Sequence, residues 1–134
     1  MKRKILVFST LGMIVIMIGF FTIHKNDEVD FSDDVKPILN KHCITCHGGV
    51  KKNGGFSLLF EEEAFANTES GAPAIKPGDA EHSSFIQRLI EEDPELRMPY
   101  NAPKLDNKEI DILKKWVNQG AKWVSTGHIA YLKK

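Results

Sequence analysis

Cys43-Ile44-Thr45-Cys46-His47 is the stretch on which the reading of this 134-residue chain turns. Its C-x-x-C-H spacing is that of covalent c-type haem attachment. Positions i, i+3 and i+4 share one face of a helical turn, so two thiols and one imidazole can meet the same flat ligand. The thiols add to the haem vinyl groups as thioethers, and the imidazole takes the iron from the side the turn occupies. With two cysteines and five histidines in the chain, accident would produce the pattern in about one chain per thousand of this composition. The rival readings lack their context. A thioredoxin-like C-x-x-C requires a βαβ pattern, and a structural zinc site requires four ligands where only scattered histidines remain. Two cysteines this close also make no disulfide framework.

Working outward, Phe31, Val35, Ile38 and Leu39 recur at helical spacing just before the motif, with Ser32 as the expected N-cap and Asp33 and Asp34 in the first turn. Pro37 makes that helix start late or bend. Gly48, Gly49, Gly54 and Gly55 mark the following stretch as loop, and Leu58 to Ala66 admits a short helix. Residues 67–79 carry Gly71, Pro73, Pro77 and Gly78 and read as extended or turning. Phe85, Ile86, Leu89 and Ile90 predict a second amphipathic helix, entered near Ser83 and ended by Pro94. The third has the fullest local signature. Asp106 and Glu109 form a capping-box pair, Ile110, Leu113, Trp116 and Val117 make an apolar stripe, and Gly120 stands at the C′ position. No run alternates with period two, so the fold class is all-α with long loops. Three short helices make a thin core, and small domains of this kind usually carry a staple or a cofactor.

The sixth iron ligand is a separate question, because electron-transfer cytochromes close it with a Met sulfur or a second His. Of the four methionines, Met1, Met13 and Met17 lie in the apolar amino-terminal run, which leaves Met98 in Leu96-Arg97-Met98-Pro99-Tyr100. Core filler is the bland reading of a lone Met, and this polar, proline-flanked loop suits a ligand better. Among the histidines His82 is the runner-up, although a surface position before a helix accounts for it. His42 is too close to His47 to reach the opposite haem face, His24 adjoins the apolar run, and His128 lies in the tail. Arg88, Arg97, Lys51 and Lys52 are all candidates to meet a haem carboxylate. The runs Glu61-Glu62-Glu63 and Glu91-Glu92-Asp93 read as solvated faces.

Residues 5–23 form an uncharged run preceded by Lys2, Arg3 and Lys4 and followed by Asp27, Glu28 and Asp30. As a helix it would be roughly 28 Å long, close to the hydrocarbon thickness of a bilayer. The positive-inside bias then keeps the amino terminus in the cytoplasm and sends the rest across. A cleaved signal peptide is the other reading, but its apolar region would be shorter and a small-x-small cleavage site is missing. Either way the body is exported. Residues 1–23 are thus expected as a membrane anchor, 24–30 as a linker, 31–124 as the haem domain and 125–134 as a tail. The chain is 42% hydrophobic and 27% charged, which excludes a disordered protein. Its three leading cations come without acids, so residues 24–134 hold 15 basic against 18 acidic groups. No basic face is implied, and nucleic-acid binding is not expected.

Taken in order, the motifs resemble the planctomycete-type cytochrome c domain over about residues 31–123. The matching elements are Phe31…Val35-x-Pro37-Ile38-Leu39, Cys43-x-x-Cys46-His47-Gly48, Pro77-Gly78-Asp79…Ser83/Ser84, Arg97-Met98-Pro99, Leu105, and Leu113-x-x-Trp116-Val117-x-x-Gly120-Ala121-x-Trp123. The resemblance implies a cytochrome c fold of three to four short helices around one covalent haem c, with the first and last helices packed across each other. It also implies Cys43 and Cys46 as attachment points, His47 as proximal ligand and Met98 as distal ligand. Tyr100 departs from the Met-Pro-Pro of the family. Members often continue into larger domains, and residues 127–131 look like such a continuation, so the chain reads either as a stand-alone cytochrome or as the front of a longer protein.

The function expected from all this is an electron carrier and not an enzyme. It would be a single-pass, membrane-anchored monohaem cytochrome that exchanges electrons with redox partner proteins on the extracytoplasmic, periplasmic side. The alternatives are a haem-bearing accessory or sensor domain serving a downstream enzyme domain, and a peroxidase-like or gas-binding haem with an open sixth position.

Overall fold

Asp30 sets the first helical segment going. The computed structural model describes residues 28–124, and in it the Asp30 carboxylate accepts the Ser32 and Asp33 N–H groups at 2.7 and 2.8 Å. The cap is therefore Asp30 and not Ser32, because a π-helical turn, Phe31–Val35, precedes the α-helix and moves the start upstream. This wider turn resolves the conflict posed by Pro37. Helix α1, Lys36–His42, begins with the proline in its first turn, where its missing N–H costs nothing. Helix α2, Ile44–His47, follows with only Cys43 between. A 3₁₀ turn, Asn53–Gly55, and the short α3, Glu61–Ala64, punctuate the loop beyond it.

Helix α4 spans Ser84–Ile90 and buries Phe85, Ile86 and Leu89. It ends earlier than the expected Pro94. Glu91 leaves the helical region with ψ 135°, and its own carboxylate accepts the next N–H, from Glu92, at 2.9 Å. Such local side-chain bonds compete with helix continuation. Helix α5, Asn107–Asn118, has both halves of the capping box formed by Asp106 and Glu109. It closes with paired bonds, Ala121 N–H to the Trp116 carbonyl at 2.9 Å and Gly120 N–H to the Val117 carbonyl at 3.0 Å. That is a Schellman ending, with Gly120 at φ +97°.

Among the described residues there is no strand, only an isolated bridge between Asn67 and Pro73, so the domain is all-α. No described helix is long and apolar enough to cross a membrane. The expected anchor over 1–23 and the tail over 125–134 lie outside the described residues, as does most of the linker.

The first and last helical segments meet in reversed order. Phe31 stands 5.8 Å from Trp116 between ring centroids, while His42, at the other end, reaches Glu109 at 3.1 Å. Trp123 closes over Phe31 at 4.4 Å. Val35, Leu39, Leu113 and Val117 are fully buried in this contact region of the core, each worth about 1.5–3 kcal/mol of transfer free energy. The 76–83 loop is knitted to the same helix. Gly78, at φ +84°, donates its N–H to the Val117 carbonyl at 2.7 Å, and the Asn118 amide oxygen takes the Ala80 N–H at 2.9 Å. Buried Ser83 accepts the Lys76 N–H and donates to the Asp79 carbonyl, both at 2.8 Å. The loop so fixed delivers α4, and α4 delivers the segment that carries Met98.

Candidate haem site

Both thiols and the imidazole of the C-x-x-C-H motif are placed by a single helical turn. Cys46 N–H and His47 N–H both donate to the Cys43 carbonyl, at 3.1 and 3.0 Å. Cys43 is buried and Cys46 exposed. Burial, then the neighbouring Cys46 and Glu109, pushes the Cys43 thiol up to about 12.

His47 is half-buried, with its ring 5.2 Å from that of Phe56. Its Nδ1 lies 3.2 Å from the Phe56 carbonyl oxygen. A carbonyl can only accept, so the proton of the neutral ring sits on Nδ1, and Nε2 keeps the lone pair that a metal requires. The same loop is pinned by Leu58 N–H on the His47 carbonyl at 2.6 Å. The first bond orients the ring, as outer-shell partners orient ligating histidines generally, and the second holds the backbone that carries it. Sequence reasoning had no access to this partner, because a backbone acceptor leaves no residue-type signature.

Met98 follows α4 by eight residues and is half-buried against the core cluster to which Cys43 belongs. The Met98-Pro99 peptide is cis. Met98 N–H donates to the Arg88 carbonyl at 2.8 Å. Of the other candidate ligands, His24 and His128 lie outside the described residues, and the remaining two are engaged elsewhere. His42 lies against Glu109, and exposed His82 has Nδ1 within 2.9 and 3.0 Å of the two Asp79 oxygens. Of the cations, Lys52 is paired with Glu63 and Arg88 with the Leu96 carbonyl at 2.9 Å.

Do these residues fit a haem? Two thiols and one imidazole with a free lone pair on one turn form the donor set that covalent attachment uses. Among the described residues no three His, Cys, Asp or Glu side chains converge as a metal cluster, and haem iron asks for none, since it takes a single protein ligand on each face. Arg97 Nε, beside Met98, is a buried donor without a hydrogen-bond partner among the described residues. A haem carboxylate is a group of the right charge to satisfy it. The donor set on the turn and the Arg97 guanidinium both fit the group.

Residues 43–100 match the family model described as Planctomycete cytochrome C. This is the family that the ordered motifs resemble. The matched stretch opens on Cys43 and closes just past Met98, so it contains both cysteines, His47 and the methionine loop. The match likens this stretch to a cytochrome c family, a likeness that points to haem-binding electron transfer and to covalent haem c as the cofactor. No curated protein and no solved structure matches the chain.

Proposed function

We propose that this protein is a membrane-tethered monohaem cytochrome c that relays single electrons to and from redox partner proteins on the extracytoplasmic side of the membrane. The observation that carries the reading is the C-x-x-C-H turn with the His47 proton committed to Phe56, inside a segment that matches a cytochrome c family. Bound haem would supply one Fe(III)/Fe(II) couple. Cys43 and Cys46 would hold the macrocycle as thioethers, and His47 would present Nε2 to the iron. Met98 would close the opposite face, which would leave no position for a substrate and would raise the potential relative to a bis-His site. The chain therefore binds, orients and shields, and the role is that of a carrier and not of an enzyme. Support for the tether comes from the uncharged run 5–23 and its cationic flank.

The test has two parts. Acidified acetone should leave the pigment on the purified polypeptide, as thioether-bound haem requires. Replacement of Met98 by Ala should lower the reduction potential and let the ferrous protein bind carbon monoxide, which the wild type should refuse. Colourless protein from cells competent in cytochrome c maturation would refute the haem reading. Rapid carbon monoxide binding by the wild type would instead favour an open, gas-binding or peroxidase-like site.

A further inference from the structure

Arg88 touches the methionine loop twice, once through its backbone and once through its side chain. Its carbonyl oxygen accepts the Met98 N–H at 2.8 Å, and its Nη1 donates to the Leu96 carbonyl at 2.9 Å. The residues on both sides of Arg97 are thus held by one residue in the last turn of α4. The helix beneath is itself fixed, because Phe85, Ile86 and Leu89 are buried and the Phe85 N–H donates to the Ala74 carbonyl at 3.0 Å. A guanidinium near a helix C-terminus commonly serves its own helix by meeting the last carbonyls. Here the acceptor is Leu96, six residues beyond the helix end and two before Met98, so the charge acts on the loop.

We propose that Arg88 is the positioning residue of the distal ligand: its side chain holds the 96–98 segment against α4 and thereby keeps the Met98 sulfur on the iron. The proposal rests on the reading of Met98 as distal ligand. The backbone bond to Met98 survives any substitution at Arg88, and the side-chain bond does not. Because Arg88 is exposed and Ala is the best helix former, Arg88→Ala removes the clamp with little change to the fold.

The experiment titrates imidazole into the ferric holoprotein, where its nitrogen must displace the methionine sulfur to bind. Wild type, Arg88→Ala, Arg88→Lys and Met98→Ala are compared, with the Fe–S charge-transfer band and thermal unfolding recorded for each. Arg88→Ala should bind imidazole about five-fold more tightly, the size expected from losing one exposed charge-assisted bond. Its charge-transfer band should weaken while its melting temperature stays near that of the wild type. Lys can still donate to the Leu96 carbonyl, so Arg88→Lys should recover part of the difference, which a merely structural role would not produce. Unchanged imidazole affinity in Arg88→Ala would overturn the proposal while leaving the Met98 reading intact. If wild type and Met98→Ala bind imidazole equally and neither shows the band, Met98 is not the ligand and both readings fall.

Discussion

Glu109 lies 3.1 Å from His42 and so ties the first turn of the last helix to the residue just ahead of Cys43. The same carboxylate takes Lys41 Nζ at 2.9 Å and completes its own capping box through the Asp106 N–H. One side chain therefore both starts α5 and locks α1 onto it, next to the point where haem is expected to be attached.

This arrangement has a pH signature. Burial pushes the Glu109 carboxyl up, but hydrogen bonds from Lys41 and His42 outweigh it and hold the group below its ordinary value of 4.5. A carboxylate whose folded pKa is depressed stabilises the fold at pH above its unfolded pKa, and that stability is lost as pH falls through the folded value. The melting temperature should be insensitive to this group near neutral pH and fall as the pH drops past 4.5. Glu109→Gln should cost about 1 kcal/mol at pH 7 and flatten part of the acid limb. An acid limb identical to that of the wild type would show that the contact contributes nothing.

The two cysteines should differ sharply as thiols before haem is attached. Cys46 is exposed, while Cys43 is buried and pushed up to about 12. Only the thiolate is nucleophilic. In folded apoprotein at pH 8, iodoacetamide should alkylate Cys46 at least about ten-fold faster than Cys43, as read by peptide mass spectrometry. Equal rates would mean that the core around Cys43 forms only once haem is in place.

How much of this was legible beforehand follows from how local each signal is. The Asp106–Glu109 box, the Gly120 ending and the shared turn of Cys43, Cys46 and His47 each lie within a few consecutive residues, so composition and spacing reveal them. Asp30 displaced Ser32 as the cap because both are cap-type residues, and only the π-helical turn ahead of Pro37 decides between them. The partner of His47 is a carbonyl of Phe56, and the partners of Arg88 and Met98 are likewise backbone groups. Backbone acceptors are the same at every residue, so these contacts leave no trace in the sequence. The early exit of α4 depended on Glu91 capping the following turn, a choice that any acidic loop residue could have made.

Gly120 offers a prediction about the fold alone. At φ +97° an L side chain is strained, although nothing would touch a Cβ placed there. The penalty of Gly120→Ala is therefore conformational and not steric, about 1 kcal/mol, or roughly 4–8 °C in melting temperature for a domain of this size. Haem content and visible spectrum should be unchanged. A variant as stable as the wild type would mean that the Schellman ending at α5 is not maintained in solution.

Trp116 is where the core is most exposed to damage. It is 1% accessible, lies 5.8 Å from Phe31 and 6.1 Å from Trp123 between ring centroids, and donates Nε1–H to the Lys122 carbonyl at 2.9 Å. Trp116→Phe keeps most of the ring contacts and frees an acceptor on a residue that water can reach, so it should cost about 1–2 kcal/mol. Trp116→Ala opens a cavity between the first and last helical segments, and such truncations cost about 3–5 kcal/mol. That is comparable to the whole stability of a domain this small. The Ala variant should accumulate poorly and carry haem at a small fraction of the wild-type ratio to polypeptide, while the Phe variant should load fully and unfold at lower urea. If the Ala variant loaded and unfolded like the wild type, the contact between the two helical segments would not be what holds the haem turn in place.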